Sequence, residues 1–270
     1  MSIEAGHTTY WQAKRGVTQI GLVFSLDAAV DASYTSGTTW YDLSGNGNNG
    51  TLTNGPIFNR ANGGSIEFDG TNDHVDTNYT TAIGYSRFTF EAWVTYTDFQ
   101  QGSIIAKRTN VSSYEQLNLF VAHTITGGDD GPQICSYERS SAGIRKLIST
   151  GWYHVASGNG VWHHVVLVRD TSQNKLYVDG TLETTSTDFD NTGVYTHADT
   201  LGNIPETPPI TVGCAADGAS PYTGRKSFFD GNIAIAKAYN RALTGTEILK
   251  NYNELKGDLH NGSRYSNNSR

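Results

Sequence analysis

The sequence has few cysteines and no long hydrophobic run. Its 270 residues include two Cys and one Met, so the disulfide framework that staples small secreted domains is missing. No apolar stretch approaches the roughly 20 residues that a membrane-spanning helix needs. The opening MSIEAGHTTYWQAKRG lacks the apolar core of a Sec signal peptide. We therefore predict buried free thiols at Cys135 and Cys214, no membrane partner and no secretion by that route.

Positive charge is also scarce. Nineteen Lys and Arg stand against 26 Asp and Glu, which gives a net charge of −7. Binding to nucleic acid or to an anionic membrane surface requires clustered Lys and Arg. The composition therefore predicts that nucleic acid is not a partner.

Glycine and β-forming residues are abundant instead. The chain has 30 Gly and is 11% aromatic, which is typical of an all-β protein with many turns. Residues 160–180, GVWHHVVLVRDTSQNKLYVDG, predict a hairpin with strands 162–169 and 175–178. Both faces of the first strand carry apolar side chains, so we place this hairpin at the centre of a two-sheet sandwich.

Several stretches resemble, in order along the chain, the laminin-G-like and pentraxin-like jelly rolls of the concanavalin A-type lectin/glucanase superfamily. They are DLSGNGNNGTLTNGP (42–56), GSIEFDGTNDHV (64–75), FTFEAWV (88–94), the WHHV and LYVDG of the hairpin, and FDGNIAIAKAYNRALT (229–244). The resemblance implies an all-β fold, a jelly-roll sandwich of two antiparallel sheets. It does not fix the function, because the superfamily includes sugar-binding modules, adhesins, hydrolases and virion surface proteins.

We divide the chain into an N-terminal arm (1–19), a jelly-roll domain (20–257) and a polar C-terminal tail (258–270). The arm either docks on a neighbouring subunit or wraps its own domain. Residues 245–256 predict the one helix, with Thr244 as N-cap, Glu247 closing a capping box and Gly257 ending the helix.

A catalytic carboxylate set is missing from the predicted strands. The laminarinase-like enzymes of the superfamily carry E-x-D-x-E on one strand, whereas Glu91 and Glu115 here each stand alone. The motifs G-x-S-x-G and H-E-x-x-H and the P-loop are also missing. His163 and His164 are adjacent, so they face opposite sides of a strand and are predicted to be structural. We predict no enzyme activity; an acid/base pair drawn from separate strands, as in a cryptic glycoside hydrolase, is the alternative.

Loop ends of this superfamily often bind calcium, and the resemblance implies ligands here. They would be Asp42, Asn46 and Asn49 in one loop, Asn72 and Asp73 in a second, and Asp230 in a third. The alternative is that these residues only form turns, since Asp and Asn beside Gly are the usual way to turn a β-chain.

Aromatic side chains in turn-rich segments are candidates for a sugar-binding platform, with packing as the alternative role for each. They are Trp152, Tyr153, Tyr195, His197 and Tyr222.

The stretches DLSGNGNNGTLTNG and ALTGTEILKNYNELKG also resemble laminin-G-like modules in structural proteins of tailed phages. The leading hypothesis is a non-enzymatic phage virion surface protein, a head decoration or tail-associated module that serves assembly and glycan adhesion. Its partners would be other virion proteins or copies of itself, together with cell-surface glycan. The alternative is an extracellular, calcium-dependent carbohydrate-binding lectin or adhesin module.

Overall fold

The computed structural model describes residues 17–81, 87–96, 101–108, 116–123, 132–139, 145–149, 161–170, 174–183, 209–216 and 225–260. Within these residues, two eight-stranded sheets pack face to face and every strand pair is antiparallel. One α-helix lies near the C-terminus. The predicted jelly-roll sandwich of two antiparallel sheets is confirmed.

The first sheet contains eight strands. They are β1 (Leu22–Asp27), β4 (Ile57–Asn59), β5 (Ser65–Asp69), β7 (Phe88–Tyr96), β12 (His163–Arg169), β13 (Asn174–Val178), β14 (Thr181–Glu183) and β18 (Asp230–Tyr239). Their order is β14-β13-β12-β7-β18-β5-β4. The edge of β18 that faces away from β7 has two partners. β5 pairs with the first half of the strand and β1 pairs with the second half.

The second sheet also contains eight strands. They are β2 (Thr39–Trp40), β3 (Gly50–Thr53), β6 (His74–Thr77), β8 (Gly102–Arg108), β9 (Gln116–His123), β10 (Pro132–Arg139), β11 (Arg145–Ser149) and β15 (Thr211–Val212), in the order β11-β10-β9-β8-β15-β6-β3-β2. The short strands β16 (Ala215–Ala216) and β17 (Arg225–Lys226) pair with each other, a 3-10 helix spans Ala61–Gly63, and the α-helix is α1 (Gly245–His260).

The centre of the first sheet is β7, and not the predicted hairpin. β12 pairs with one edge of β7 and β18 with the other, and all nine residues of β7 are buried. The β12–β13 hairpin lies nearer the β14 edge. Apolar residues on both faces of a strand indicate that other elements pack on both faces. This holds for β7 and for β12, so the pattern could not identify which of them is central.

The main core lies between the two sheets. Phe90 and Val94 of β7 and Leu167 of β12 meet Leu119 of β9 and Val212 of β15, all of them fully buried. The opposite face of the first sheet is covered by α1, which buries Ile248 and Leu255 against it. The described residues therefore form three layers: the second sheet, the first sheet and α1. Side chains of the first sheet are buried either against the second sheet or against α1.

The helix begins as predicted but runs further. The Thr244 N–H donates to Glu247 Oε2 (2.9 Å) and the Glu247 N–H donates to Thr244 Oγ1 (3.3 Å), so the capping box is confirmed. Gly257 does not end the helix, which continues to His260. Leu259 in this last turn is buried beside Leu255. Burial of a leucine stabilises the structure by more than a glycine in a helix costs.

Replacement of Gly257 by Ala is expected to raise the free energy of unfolding by about 0.5–1 kcal/mol, because glycine loses more backbone freedom in a helix than alanine. A Cβ at Gly257 would have no atom within 4 Å to displace. Urea unfolding measures the change. Gly45 has the same open surroundings but a φ of +86°, so Gly45→Ala should destabilise the protein. A loss at both positions would contradict the assignment of Gly257 to the helix.

The end of the predicted arm packs on its own domain. Val17 is buried with Leu255 and Leu259, and the Thr18 N–H donates to Asn251 Oδ1 of α1 (3.0 Å). This favours the wrapping alternative for residues 17–19, and the start of the predicted tail belongs to α1. Residues 1–16 and 261–270 lie outside the described residues.

Both cysteines are free and buried, as predicted. Burial raises the pKa of the Cys135 thiol well above its ordinary value. In the described part of the chain, no helix is long and apolar enough to cross a membrane.

Candidate functional site

The first predicted calcium loop folds around the Asp42 carboxylate. Its Oδ1 accepts hydrogen bonds from the N–H groups of Ser25 (2.8 Å) and Ser44 (2.8 Å). Its Oδ2 accepts from Ser44 Oγ (2.6 Å) and from the Asn48 N–H (3.0 Å). A carboxylate has about four acceptor positions, so the chain itself satisfies this one.

The amides of the same loop are also engaged. The Nδ2 groups of Asn46 (3.1 Å) and Asn48 (2.8 Å) donate to the Val23 carbonyl, and Asn49 Oδ1 accepts from the Asp42 N–H (2.9 Å). Together these bonds fasten the loop to the start of β1.

The second predicted loop turns around Asp69. Its Oδ1 accepts from the N–H groups of Thr71 (2.8 Å), Asn72 (3.2 Å) and Asp73 (3.4 Å), and these bonds lower the pKa of Asp69. Asp73 accepts from the Asp69 N–H (3.2 Å), and burial together with the charge of Asp69 raises its pKa. Asp230 lies opposite Asp69 in the β5–β18 register. Asp69, which was not among the predicted ligands, therefore lies between the predicted residues Asp73 and Asp230.

The hydrogen bonds within these loops favour turn formation over a preformed calcium site. Calcium takes six to eight oxygen ligands, whereas the described parts of the chain hold no group of three or more His, Cys, Asp or Glu placed for a metal ion. The Asp42 and Asp69 carboxylates accept hydrogen bonds from their own turns. Calcium binding stays a prediction for experiment, and the geometry favours the turn-forming alternative.

Replacement of Asp42 by Ala is expected to lower the free energy of unfolding by about 1–3 kcal/mol, because it leaves N–H donors without an acceptor. The loss should be the same in calcium and in EDTA, since hydrogen bonds hold this loop. Thermal unfolding of both proteins in the two buffers measures it. A loss that appears only with calcium present would place an ion at Asp42.

The predicted aromatic platform cannot be located in this structure. All five of its residues lie outside the described residues, namely Trp152, Tyr153, Tyr195, His197 and Tyr222.

A charged cluster lies between the first sheet and α1, and sequence reasoning missed it. Glu91 of β7 is 0% exposed and Lys237 of β18 is 4% exposed. Glu91 Oε1 accepts from His164 Nε2 of β12 (3.2 Å) and lies 3.5 Å from Lys237 Nζ. Glu91 Oε2 accepts from Asn251 Nδ2 of α1 (2.8 Å). Three strands and the helix therefore meet at one carboxylate.

The cluster keeps Glu91 ionised. Burial, the largest single effect, would raise the pKa of its carboxyl, but the charge of Lys237 and the interactions with His164 and Asn251 together outweigh it. The pKa therefore falls to about 2. A catalytic acid needs a raised pKa and access to substrate, and Glu91 has neither.

Aromatic rings seal the cluster from solvent. Trp93 stacks on Tyr252 of α1 with ring centroids 5.6 Å apart, and the His164 ring lies 5.9 Å from that of Tyr252. The cluster therefore stabilises the contact between helix and sheet, with Glu91 and His164 fully buried in it.

The two adjacent histidines face opposite sides, as predicted. His164 points to α1, whereas His163 Nδ1 donates to Asp179 Oδ2 (2.8 Å). The charge of Asp179 also raises the pKa of Tyr96, second to the effect of burial. An imidazole oriented by a carboxylate supplies two of the three members of a catalytic triad, but His163 Nε2 is buried without a hydrogen-bond partner. Among the described residues, no hydroxyl or thiol forms a hydrogen bond with this imidazole nitrogen.

A sequence signal for the Glu91 cluster did exist. Glu91 and Lys237 are each the single charged residue of a largely apolar stretch, FTFEAWVTY and GNIAIAKAY. Charges of opposite sign within buried strands indicate a pair, because an isolated buried charge is very costly.

Comparison with known proteins supports the fold. The sequence matches the Laminin_G_3 family, described as the Concanavalin A-like lectin/glucanases superfamily, over residues 69–249. No curated protein matches the chain.

Several solved structures share the fold at low sequence identity. The binding domain of Paraclostridial Mosquitocidal Protein 1 is 16% identical with a TM-score of 0.59, over 86% of this chain and 52% of that one. The ligand binding domain of botulinum neurotoxin serotype D, solved with N-acetylneuraminic acid, is 13% identical with a TM-score of 0.58, over 87% and 51%. Trypanosoma rangeli sialidase is 16% identical with a TM-score of 0.56, over 92% and 34%.

The chain spans about half the length of the toxin binding domains that it matches, and identities this low show the fold alone. The family match extends from the Asp69 turn into α1, so it includes the hairpin and the strand residues Glu91, His164 and Lys237 of the cluster. The chain belongs to the Laminin_G_3 family of the concanavalin A-like lectin/glucanases superfamily.

Proposed function

We propose that this chain is a non-enzymatic recognition module that binds cell-surface glycan through its lectin-like jelly roll and is carried on a phage virion surface. The observation that carries the non-enzymatic part is the state of Glu91. It is the one acidic residue of the central strand, and it is fully buried and neutralised by Lys237. Glycoside hydrolysis needs two carboxyl groups that face each other across a substrate.

The glycan part rests on family and fold. Membership of a lectin/glucanase superfamily favours a sugar as ligand. The serotype D toxin domain that shares the fold was solved with N-acetylneuraminic acid, an acidic sugar. The sialidase with the same fold supports a sugar ligand too, although its own chain is about three times as long as the matched part. We propose sialylated or other acidic glycans as the class to test first.

The virion part rests on the phage-like stretches of the sequence. One of them, ALTGTEILKNYNELKG, forms the capped helix α1 that closes over the first sheet. The other forms the self-bonded loop around Asp42. A domain built this way is rigid without a disulfide, which suits a head decoration or a tail-associated protein.

A glycan array with the labelled full chain tests the glycan part. We expect saturable binding to a subset of glycans and no release of sugar from the bound spots. No binder in the presence of calcium would reject glycan adhesion, and release of sugar would reject the non-enzymatic assignment. Binding that disappears in EDTA would instead favour the calcium-dependent lectin.

Protein analysis of purified phage particles tests the virion part. The chain should be present in intact particles at a fixed ratio to the major capsid or tail protein. Particles of the encoding phage that lack the chain would reject this part while leaving the glycan result untouched.

A further inference from the structure

The Glu91 cluster holds a nucleophile and an electrophile on one carboxylate. Lys237 Nζ lies 3.5 Å from Glu91 Oε1, and Asn251 Nδ2 donates to Glu91 Oε2 (2.8 Å). A lysine amine is a nucleophile once it has lost a proton, and the carboxamide carbon of an asparagine is an electrophile. The two oxygens of Glu91 therefore bind the two reactants of an amide-forming reaction.

The three side chains are fixed in place and shielded from water. Glu91 and Asn251 are 0% exposed and Lys237 is 4% exposed. Lys237 is the register partner of Glu91 in the β7–β18 pair, and Asn251 belongs to the helix that packs on this face of the sheet. Reactants that are held together in this way react much faster than free ones, because the entropy of bringing them together has been lost already on folding.

The carbonyl oxygen of Asn251 has a backbone donor. The Thr18 N–H donates to Asn251 Oδ1 (3.0 Å). A fixed N–H donor at a carbonyl oxygen stabilises the negative charge that develops there when a nucleophile adds to the carbon. The contact between Thr18 and α1 therefore activates the carboxamide as well as orienting it.

Glu91 is placed to carry protons between the two reactants. Burial raises the pKa of its carboxyl, whereas the charge of Lys237 lowers it. When Lys237 gives a proton to Glu91, that charge disappears, and burial then favours the protonated carboxyl. The transfer also removes two charges from a buried interface, where charges are costly. The ion pair can therefore supply the neutral amine that the reaction needs.

We propose that Lys237 and Asn251 react to form an intramolecular isopeptide bond, which links β18 covalently to α1. Both cysteines of the chain are free, so such a bond would serve this domain as a disulfide serves others, by restricting the unfolded chain. The Glu91–Lys237 ion pair described above is the state before the bond forms.

The reaction exchanges one amide for another and needs no oxidant or reductant. Lys237 Nζ gives a first proton to Glu91, and its lone pair attacks Asn251 Cγ. Glu91 passes this proton to Nδ2, the Cγ–Nδ2 bond breaks and ammonia leaves, while Glu91 takes up the second proton of Nζ. Each chain reacts once with itself, so the step is a self-modification without turnover. Neither glycan binding nor a virion location is needed for it.

Mass spectrometry of the denatured full chain tests this proposal. We expect a mass about 17 Da below that of the sequence, because one ammonia is lost. Protease digestion should give two linked peptides, one with Lys237 and the other with Asn251. Lys237→Arg keeps the positive charge but has no amine to react, and Glu91→Gln removes the proton carrier, so both variants should have the full mass. The matched control is Lys250→Arg, at an exposed lysine next to Asn251, and it should still lose ammonia.

Three results would overturn the proposal: a wild-type chain of full mass, a deficit that persists in Lys237→Arg or Glu91→Gln, or a loss of ammonia that maps to a single unlinked peptide. The last result would indicate an asparagine that has cyclised on its own backbone. Circular dichroism checks that each variant is folded. Where a variant fails to fold, the presence or absence of the linked peptides in the wild type decides the outcome.

Discussion

Replacement of Glu91 by Ala is expected to lower the free energy of unfolding by about 3–5 kcal/mol, the cost of breaking a buried ion pair by removing one partner. The change leaves Lys237 as an uncompensated charge at 4% exposure. It also removes the acceptor for Asn251 Nδ2, the bond that joins α1 to the central strand. Urea unfolding followed by tryptophan fluorescence measures the loss, because Trp93 stacks over the cluster.

Two controls sharpen this prediction. Glu247 also has a pKa lowered to about 2, through a hydrogen bond from Arg241, but it is partly exposed at the start of α1. Glu247→Ala should therefore cost less, about 1 kcal/mol from the lost cap. The double variant Glu91→Leu, Lys237→Met removes both charges and should be more stable than Glu91→Ala. If Glu91→Ala and Glu247→Ala cost the same, the cluster is not the buried pair described above.

The same cluster predicts acid sensitivity. The Glu91 pKa is about 2 in the folded protein against an ordinary value of 4.5. A carboxyl whose pKa is lowered by folding stabilises the protein fully above its unfolded pKa. That contribution should be lost as the pH falls from about 4.5 toward 2. Urea midpoints across this range should fall steeply for the wild type and less steeply for Glu91→Gln, and parallel curves would assign the acid sensitivity to other carboxylates.

Replacement of Gly231 by Ala is the second change with a large expected effect. Gly231 has a φ of +144°, and a Cβ there would lie 2.2 Å from the Thr95 carbonyl oxygen and 2.6 Å from Tyr96 Cα. Both contacts are with the backbone of the central strand, which cannot move aside without breaking the β7–β18 pairing. Backbone strain of about 1–3 kcal/mol and overpacking of about 1–3 kcal/mol add up, so we expect a loss of more than about 2 kcal/mol.

Gly37 provides the control for this change. Its φ is +89°, but a Cβ there would meet nothing within 4 Å. Gly37→Ala therefore adds strain without a clash and should cost about 1 kcal/mol. Equal losses at the two positions, measured by thermal unfolding, would contradict the close approach of β18 to β7 at Gly231.

Sequence patterns predicted a strand or a helix start correctly where all the residues that determine it lie in one short segment. The alternation in FTFEAWVTY gave strand β7, and the spacing of Thr244 and Glu247 gave the helix start. The helix end was wrong, because Gly257 was weighed without the partner that buries Leu259. The free-energy cost of a glycine in a helix is local, whereas the burial of Leu259 depends on Val17, which is distant in the sequence.

The candidate sites show the same limit. The sequence around Asp42 is compatible with a calcium ligand and with a turn former. The hydrogen bond that Asp42 accepts from the Ser25 N–H joins residues 17 positions apart, so the sequence does not show it. Glu91 and Lys237 are 146 residues apart, so no spacing in the sequence joins them. Strand alternation shows which face a side chain occupies, but only the order of strands in the sheet shows which side chains become neighbours.

The position of β18 also sets the order in which the sheet can form during synthesis. Within the described residues, the strand partner of β1 is β18, which ends at Tyr239. During synthesis β1 therefore cannot pair with β18, and Phe24 and Leu26 stay without their final packing, until Tyr239 has been made. Such long-range pairing slows folding, and an apolar strand that waits for a distant partner is open to aggregation until that partner arrives.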